Sequence, residues 1–122
     1  MRSLSPVSWA AIAFILLACG ALAATLISPP PDPADHPLAP RFTGLHLAFE
    51  AAKLCGGLEM SPSVANKVGA AIDAEIGGAM GTATRLVLIS DARATLAAAG
   101  CDSALARDAL AQFDAELKPA LE

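Results

Sequence analysis

Residues 44–55 read GLHLAFEAAKLC and are followed directly by two glycines. Leu45, Phe49 and Ala52 recur every three or four residues, which places them on one face of an α-helix. Thr43, just ahead of the stretch, offers a side-chain oxygen that can cap the first turn. Glycine adopts the left-handed conformation that ends helices without steric cost. The sequence therefore predicts a helix over about residues 44–55, with a cysteine at its C-terminal end.

Three more helices are predicted on the C-terminal side of this one. A Ser-Pro pair, with the serine as cap and the proline in the first turn, starts a helix over about residues 62–76. An alanine-rich segment that ends at a glycine predicts a helix over about residues 82–99. Asp102 is the expected cap of a last helix over about residues 103–118, which Pro119 would end.

The predicted fold class is all-α, with a small up-down four-helix bundle over residues 41–122. In such a bundle the first and last helices are antiparallel neighbours, so the end of one lies beside the start of the other. Cys55 and Cys101 occupy these two positions. We therefore expect one disulfide between Cys55 and Cys101, with two free buried thiols as the alternative.

The N-terminal segment carries the apolar excess of a chain that is 55% hydrophobic. Residues 7–27 contain no charged side chain, and as a helix they would span roughly 31 Å, close to the thickness of a bilayer core. Arg2 precedes the segment, whereas Asp32 and Asp35 follow it, which predicts a cytoplasmic N-terminus. Residues 1–28 are accordingly expected to be a signal anchor or a signal peptide.

Three processing routes are open for this leader. The first is an uncleaved anchor, a transmembrane helix that stays in the membrane through residues 7–27. The second is a secretory signal cleaved after the Ala-x-Ala motif at residues 21–23. The third is a lipoprotein signal, because Leu16-Leu17-Ala18-Cys19 resembles a lipobox in which Cys19 is lipidated. All three place the domain that follows outside the cytoplasmic membrane.

A proline-rich linker is expected between the leader and the domain. Residues 29–40 read PPPDPADHPLAP, so half of the positions are proline. Proline lacks the backbone N–H and fixes φ, which disfavours helices and central strands. An extended polyproline-type spacer of about 37 Å is predicted instead. We expect this spacer to hold the domain away from the membrane.

The composition disfavours nucleic acid as a partner. The net charge is −4 and aromatic residues make up 4% of the chain. Neutralising phosphates requires clusters of Lys and Arg, and stacking on bases requires aromatic side chains. No nucleic-acid binding is therefore expected.

No catalytic residue and no cofactor are predicted, because the sequence lacks the G-x-S-x-G and C-x-x-C patterns. His46 and Glu50 are spaced i and i+4 on the first predicted helix, so they share one face and are a candidate pair of metal ligands. A metal site needs at least a third ligand, for which Met60, Met80 and His36 are the only candidates. We interpret His46 and Glu50 as a solvated pair.

The expected function is that of a non-enzymatic, membrane-tethered accessory or interaction module that faces the periplasm or the exterior and binds a protein of unspecified identity. The size, the compartment and the cysteine spacing resemble those of small disulfide-linked periplasmic acid-stress chaperones. The alternative is accordingly a cleaved or lipidated periplasmic protein, small and helical, with a binding or chaperone-like role.

Overall fold

The computed structural model describes residues 29, 31–76 and 78–122, and within these residues it is all-helical, without strands. The predicted all-α class is confirmed for this part of the chain. The α-helices are α1 (Ala39–Leu54), α2 (Pro62–Ile76), α3 (Thr82–Ala99) and α4 (Ala104–Gln112). A short 3-10 turn, Pro33–Asp35, precedes α1, and α4 continues through a π-helical turn, Phe113–Leu117, and a 3-10 helix, Lys118–Leu121.

The ends of α2, α3 and α4 follow from local chemistry. The Ser61 hydroxyl accepts a hydrogen bond from the N–H of Val64 at 3.1 Å, as expected of a helix cap. Gly100, after α3, has a φ of 83°, a value that glycine adopts without strain. The predicted cap of α4 is wrong by one residue, because Ser103 and not Asp102 accepts the hydrogen bond from Ala106 N–H, at 3.1 Å.

The segment ahead of α1 differs most from its prediction. Asp32 caps the 3-10 turn by accepting a hydrogen bond from Ala34 N–H at 2.9 Å, and the unit Asp32–Glu122 is compact. α1 begins at Ala39, which is buried, and not after Thr43. Pro40 lies in the first turn, where backbone N–H groups have no partner within the helix, so its missing N–H costs nothing. Residues from Asp32 onward therefore belong to the domain and not to an extended spacer.

α1 lies at the centre of the domain and contacts the other three α-helices. Arg41, near its start, reaches Glu116 beyond the end of α4 at 2.6 Å and Glu75 near the end of α2 at 3.4 Å. These ion pairs show that α2 and α4 run antiparallel to α1. The backbones of α2 and α3 nowhere approach within 8 Å, so these two helices flank α1 and do not form one side of a square bundle.

The core has two parts of unequal size. The larger cluster surrounds Phe42, Leu45 and Phe49 of α1. The smaller one, at the end of α1, consists of a single leucine, Leu96, and three alanines. Alanines let helices approach closely, but they bury little apolar surface. The end of the domain that holds the smaller cluster therefore depends on a further constraint.

That constraint is the predicted disulfide, which is confirmed. Cys55 at the end of α1 and Cys101 just before α4 are bonded, with their Cα atoms 5.4 Å apart. Cys55 also packs against the smaller cluster. The bond links residues 46 positions apart in the sequence, and in the chain-entropy model this loop length stabilises the folded state by about 4 kcal/mol.

We predict that Cys55→Ser lowers the thermal midpoint by more than about 10 °C, because the bond closes a long loop at the weakly packed end of the core. The measurement is thermal unfolding of the exported protein, followed by circular dichroism.

The matched comparison uses Cys101→Ser and the double variant. Cys55→Ser, Cys101→Ser and the double variant should have nearly the same thermal midpoint, because each removes the same disulfide bond. Additive losses in the double variant, or two titratable thiols in the exported wild type, would contradict the prediction.

Candidate functional site

A groove of about 520 Å³ lies between the end of α1, the connection to α2 and the last turns of the chain. Its volume is within the range of pockets that hold small molecules or a few side chains of a partner. The floor is apolar and consists of Ala52, Leu58, Leu110, Phe113 and Leu121. The charged side chains at its edge are Glu59, Asp114, Lys118 and Glu122.

Two glycines shape the wall of this groove. Gly57 has a φ of 69°, which lets the chain turn sharply after α1. A Cβ at Gly56 would lie 2.9 Å from Cδ2 of Leu110 and 3.1 Å from the carbonyl oxygen of Ala52, so a larger residue would displace the Leu110 side chain and crowd the backbone of α1. The turn brings Leu58 back to α1, where its N–H donates to the carbonyl of Ala52 at 3.0 Å. The helix-ending glycine pair thus also positions the apolar floor.

The π-helical turn forms the opposite wall. Phe113 at its start is buried in the floor, whereas Asp114, the next residue, is exposed at the edge. π-helical turns are uncommon and are frequently found at functional sites, because the wider turn changes which side chains face a cavity. Lys118 follows the π turn, and its Nζ lies 3.9 Å from Oδ1 of Asp114. The groove therefore combines an apolar floor with an edge that carries three carboxylates and one ammonium group.

A second, shallower depression of about 430 Å³ lies between the N-terminal 3-10 turn, α1 and α3. Ala34 of the 3-10 turn, Leu47 of α1 and Leu88 of α3 are among its lining residues. At this depression the 3-10 turn ahead of α1 lies beside α1 and α3.

Glu50 is not solvated, which corrects the interpretation of the His46–Glu50 pair. Its side chain is 5% exposed, and its Oε1 accepts hydrogen bonds from Lys53 Nζ at 2.6 Å and from Arg93 Nε at 3.0 Å. Burial raises the pKa of this carboxyl, but the two cationic partners outweigh burial and hold the pKa below its usual value. Glu50 thus links α1 to α3 as a buried anion.

His46 lies one turn before Glu50, half-buried, with its ring 4.6 Å from the ring of Phe42. Burial lowers the pKa of His46, which favours the neutral imidazole. Among the residues that the structure describes, no group of three or more His, Cys, Asp or Glu side chains is placed to hold a metal ion. The carboxylate of Glu50 already binds two cationic side chains through its Oε1, and these compete with a metal ion for it.

The leader predictions concern other parts of the chain. Cys19, the candidate lipidation site, and residues 7–27, the candidate membrane segment, lie outside the described residues. None of the helices in the described part combines the length and apolarity that crossing a bilayer requires.

Sequence reasoning missed two features of this region. Arg93, which donates a hydrogen bond to Glu50, lies 43 residues further along the chain, so no local spacing in the sequence predicts this contact. The groove is built from three separate segments, so only their packing reveals it. The Gly56-Gly57 pair was the one local sequence feature at the groove. It predicted the end of α1 but not which residues pack against that end.

We predict that Glu50→Gln lowers the free energy of unfolding by about 2 kcal/mol, because it removes the negative charge that strengthens two hydrogen bonds from cationic donors at a buried site. Glu75→Gln is the matched control. Glu75 is 52% exposed and 3.4 Å from Arg41, so its loss should cost less than about 0.5 kcal/mol. Urea unfolding at neutral pH measures both variants, and equal losses would contradict the prediction.

The same variant should change the acid dependence of stability. Because the pKa of Glu50 is lower in the folded state, its contribution is present above the ordinary value of 4.5 and is lost as the pH falls below it. Glu50→Gln should therefore lose less stability than the wild type between about pH 5 and pH 3. If the free energy of unfolding falls equally with pH in the wild type and in Glu50→Gln, Glu50 is not the source of the acid dependence.

Comparisons with known proteins assign no family to this chain. No protein-family model matches it, and neither a curated protein nor a solved structure matches it. The surface feature best suited to binding is the apolar groove with its acidic edge.

Proposed function

We propose that the protein is a membrane-tethered accessory module whose helical domain lies outside the cytoplasm and binds a protein partner through the groove beside the π turn. The proposal is based on the composition of this groove. An apolar floor with a few charged groups at its edge is the usual composition of a binding site. The edge of the groove carries three carboxylates and one ammonium group, so it favours Lys or Arg on the partner. The apolar floor favours an apolar side chain next to that basic residue.

The disulfide supports the proposed compartment. Structural disulfides persist in oxidising environments such as the periplasm and the cell exterior, and they are rare in the cytosol. The Cys55–Cys101 bond closes the weakly packed end of the domain, so it is a structural bond. The apolar leader and the charges on both sides of it indicate the same location.

An exposed apolar residue beside the groove also supports binding. Met60, just beyond the edge residue Glu59, is 47% exposed. Methionine is a flexible apolar side chain that adapts to different partners.

A cleaved or lipidated periplasmic binding or chaperone-like protein is the second candidate, and the Ala-x-Ala motif at residues 21–23 and the lipobox-like sequence ending at Cys19 favour it. In that form the same domain would bind through the same groove without a transmembrane tether. The two candidates differ in the mature N-terminus.

We predict that the mature chain retains residue 1, because residues 7–27 are longer than the apolar core of most secretory signals. Intact-mass measurement on protein from membranes separates a chain that starts at residue 1 from one that starts at Ala24 and from one lipidated at Cys19. A start at Ala24 or a lipidated Cys19 would replace the retained tether with the second candidate. A reporter fused after Glu122 should be active outside the cytoplasm.

The groove is tested by cross-linking in cells. A photo-crosslinking residue at Glu59, on the edge, should give a discrete adduct with a partner protein, and Asp114→Lys should remove that adduct by repelling the basic partner segment. Asp108→Lys is the matched control, because it makes the same charge change on an exposed position of α4 outside the groove. No adduct, or equal loss in both variants, would contradict the proposed site.

A further inference from the structure

We propose that the Cys55–Cys101 disulfide is a redox switch for the groove, which binds its partner only when the two cysteines are oxidised. The inference rests on the proposed function, because it concerns the same groove. It adds a regulatory condition: the surface that meets the partner is complete only after the bond has formed.

The disulfide lies directly beside one wall of the groove. Cys55 is followed immediately by residues 56–58, which line the groove. Cys101 stands just before α4, the helix that carries Leu110 of the floor. The bond therefore joins the segment that forms the wall to the helix that carries part of the floor.

The wall is attached to α1 by its own hydrogen bond but has little other support against α4. The N–H of Leu58 donates to the carbonyl of Ala52, so the turn moves with α1. Across the groove, the backbone of Gly56 meets the side chain of Leu110, since a Cβ on this glycine would lie 2.9 Å from Cδ2 of the leucine. Without the bond, this contact depends on how firmly α1 and α4 pack near Cys55.

That packing is weak at the end of α1. The smaller cluster of the core contains Leu96 and three alanines, and Cys55 and Leu110 are among the partly buried residues that pack against it. Alanines bury little apolar surface, so they hold the two helices together with little free energy. The contact between wall and floor is therefore the part of the groove that depends most on the disulfide.

The opposite end of the domain does not depend on the disulfide. The larger cluster surrounds Phe42 of α1 and includes Phe113 of the π turn. Arg41, near the start of α1, also pairs with Glu116 at 2.6 Å. Reduction therefore opens one end of the domain locally while the helices stay associated, provided that the temperature is well below the lowered thermal midpoint.

The exposure of Cys101 allows the switch to be set by thiol–disulfide exchange. Cys101 is exposed, whereas Cys55 is half-buried. We name a protein disulfide as the oxidant. The Cys101 thiolate attacks one sulfur of this donor, and the Cys55 thiolate then displaces the donor from Cys101. The donor S–S bond breaks and the Cys55–Cys101 bond forms, while two electrons and the two thiol protons pass to the donor, which leaves as a dithiol.

This requirement confines binding to the proposed compartment. Thiols are kept reduced in the cytosol, and disulfides form in the periplasm and outside the cell. A chain with reduced cysteines lacks the complete groove, so it does not engage a partner before it reaches the oxidising side.

Nuclear magnetic resonance of the full-length protein in detergent micelles tests the wall directly. In the oxidised protein we expect a nuclear Overhauser contact between the Hα protons of Gly56 and a methyl group of Leu110. After reduction with a phosphine, measured in the cold, this contact should weaken by more than about fivefold, because this end of the domain opens locally.

The matched control is the contact between Gly44 and the side chain of Gln112. A Cβ at Gly44 would lie 3.8 Å from Nε2 of Gln112, so this pair also joins a glycine of the α1 segment to a side chain of α4. It lies about three turns of α1 away from Cys55. We expect this contact to be kept after reduction.

Cross-linking tests whether the partner follows the state of the bond. In isolated membranes, the adduct formed by a photo-crosslinking residue at Glu59 should fall by more than about fivefold after the phosphine and return after reoxidation with diamide. In the Cys55→Ser/Cys101→Ser double variant the adduct should be weak with or without the phosphine. This variant shows whether the reductant acts on the partner instead.

The outcomes separate the inference from the proposed function. If the oxidised protein gives no adduct, both fail. If it gives an adduct that reduction leaves unchanged, the proposed function stands and the inference is overturned. Loss of the Gly44–Gln112 contact together with the Gly56–Leu110 contact also overturns the inference, because the bond would then hold the whole domain. A strong adduct in the double variant that the phosphine removes overturns it as well.

Discussion

The burial of α1 is the constraint on which the rest of the domain depends. This helix contacts α2, α3 and α4, whereas the backbones of α2 and α3 do not meet. Phe42 and Leu45, each 1% exposed, fill the larger cluster of the core. A change on α1 therefore reaches every other helix, while α2 and α3 meet through side chains, as in the ion pair between Asp73 and Arg85.

The central position of α1 explains the unusual environment of Glu50. A helix that is covered on several sides has no fully polar face, so a charged residue in its last turns becomes buried along with its apolar neighbours. A buried carboxylate is tolerated only when cations and hydrogen bonds replace water, and Lys53 and Arg93 provide both. The interaction orients α3 on α1, because Arg93 reaches Glu50 from α3.

The sequence was sufficient for features that depend on local chemistry. The bounds of α2 and α3 were predicted correctly, because a Ser-Pro start and glycine ends act within a few residues. The disulfide followed from topology, since antiparallel first and last helices bring Cys55 and Cys101 together. The start of α1 was missed because the penalty for proline applies to the helix interior and not to the first turn, where Pro40 lies.

Features that depend on distant contacts were not predictable in this way. A single face of α1 was predicted from Leu45, Phe49 and Ala52, but burial on further sides became visible only with the neighbouring helices in place. The groove likewise needs the chain after α1 to meet the π turn, which a periodicity of 3.6 residues does not anticipate.

The docking of residues 32–40 changes what the proline-rich segment can do. As an extended spacer it would have kept the domain about 37 Å from the membrane with wide freedom of rotation. Instead, Asp32 caps a turn and Ala39 is buried, so the segment from Asp32 onward packs as part of the domain. The prolines at positions 33 and 40 rigidify the entry, because each fixes φ at a position that lacks a helical N–H partner. The segment from Asp32 to α1 is thus held by a turn and by packing on the domain, whereas an extended spacer would leave it free of both.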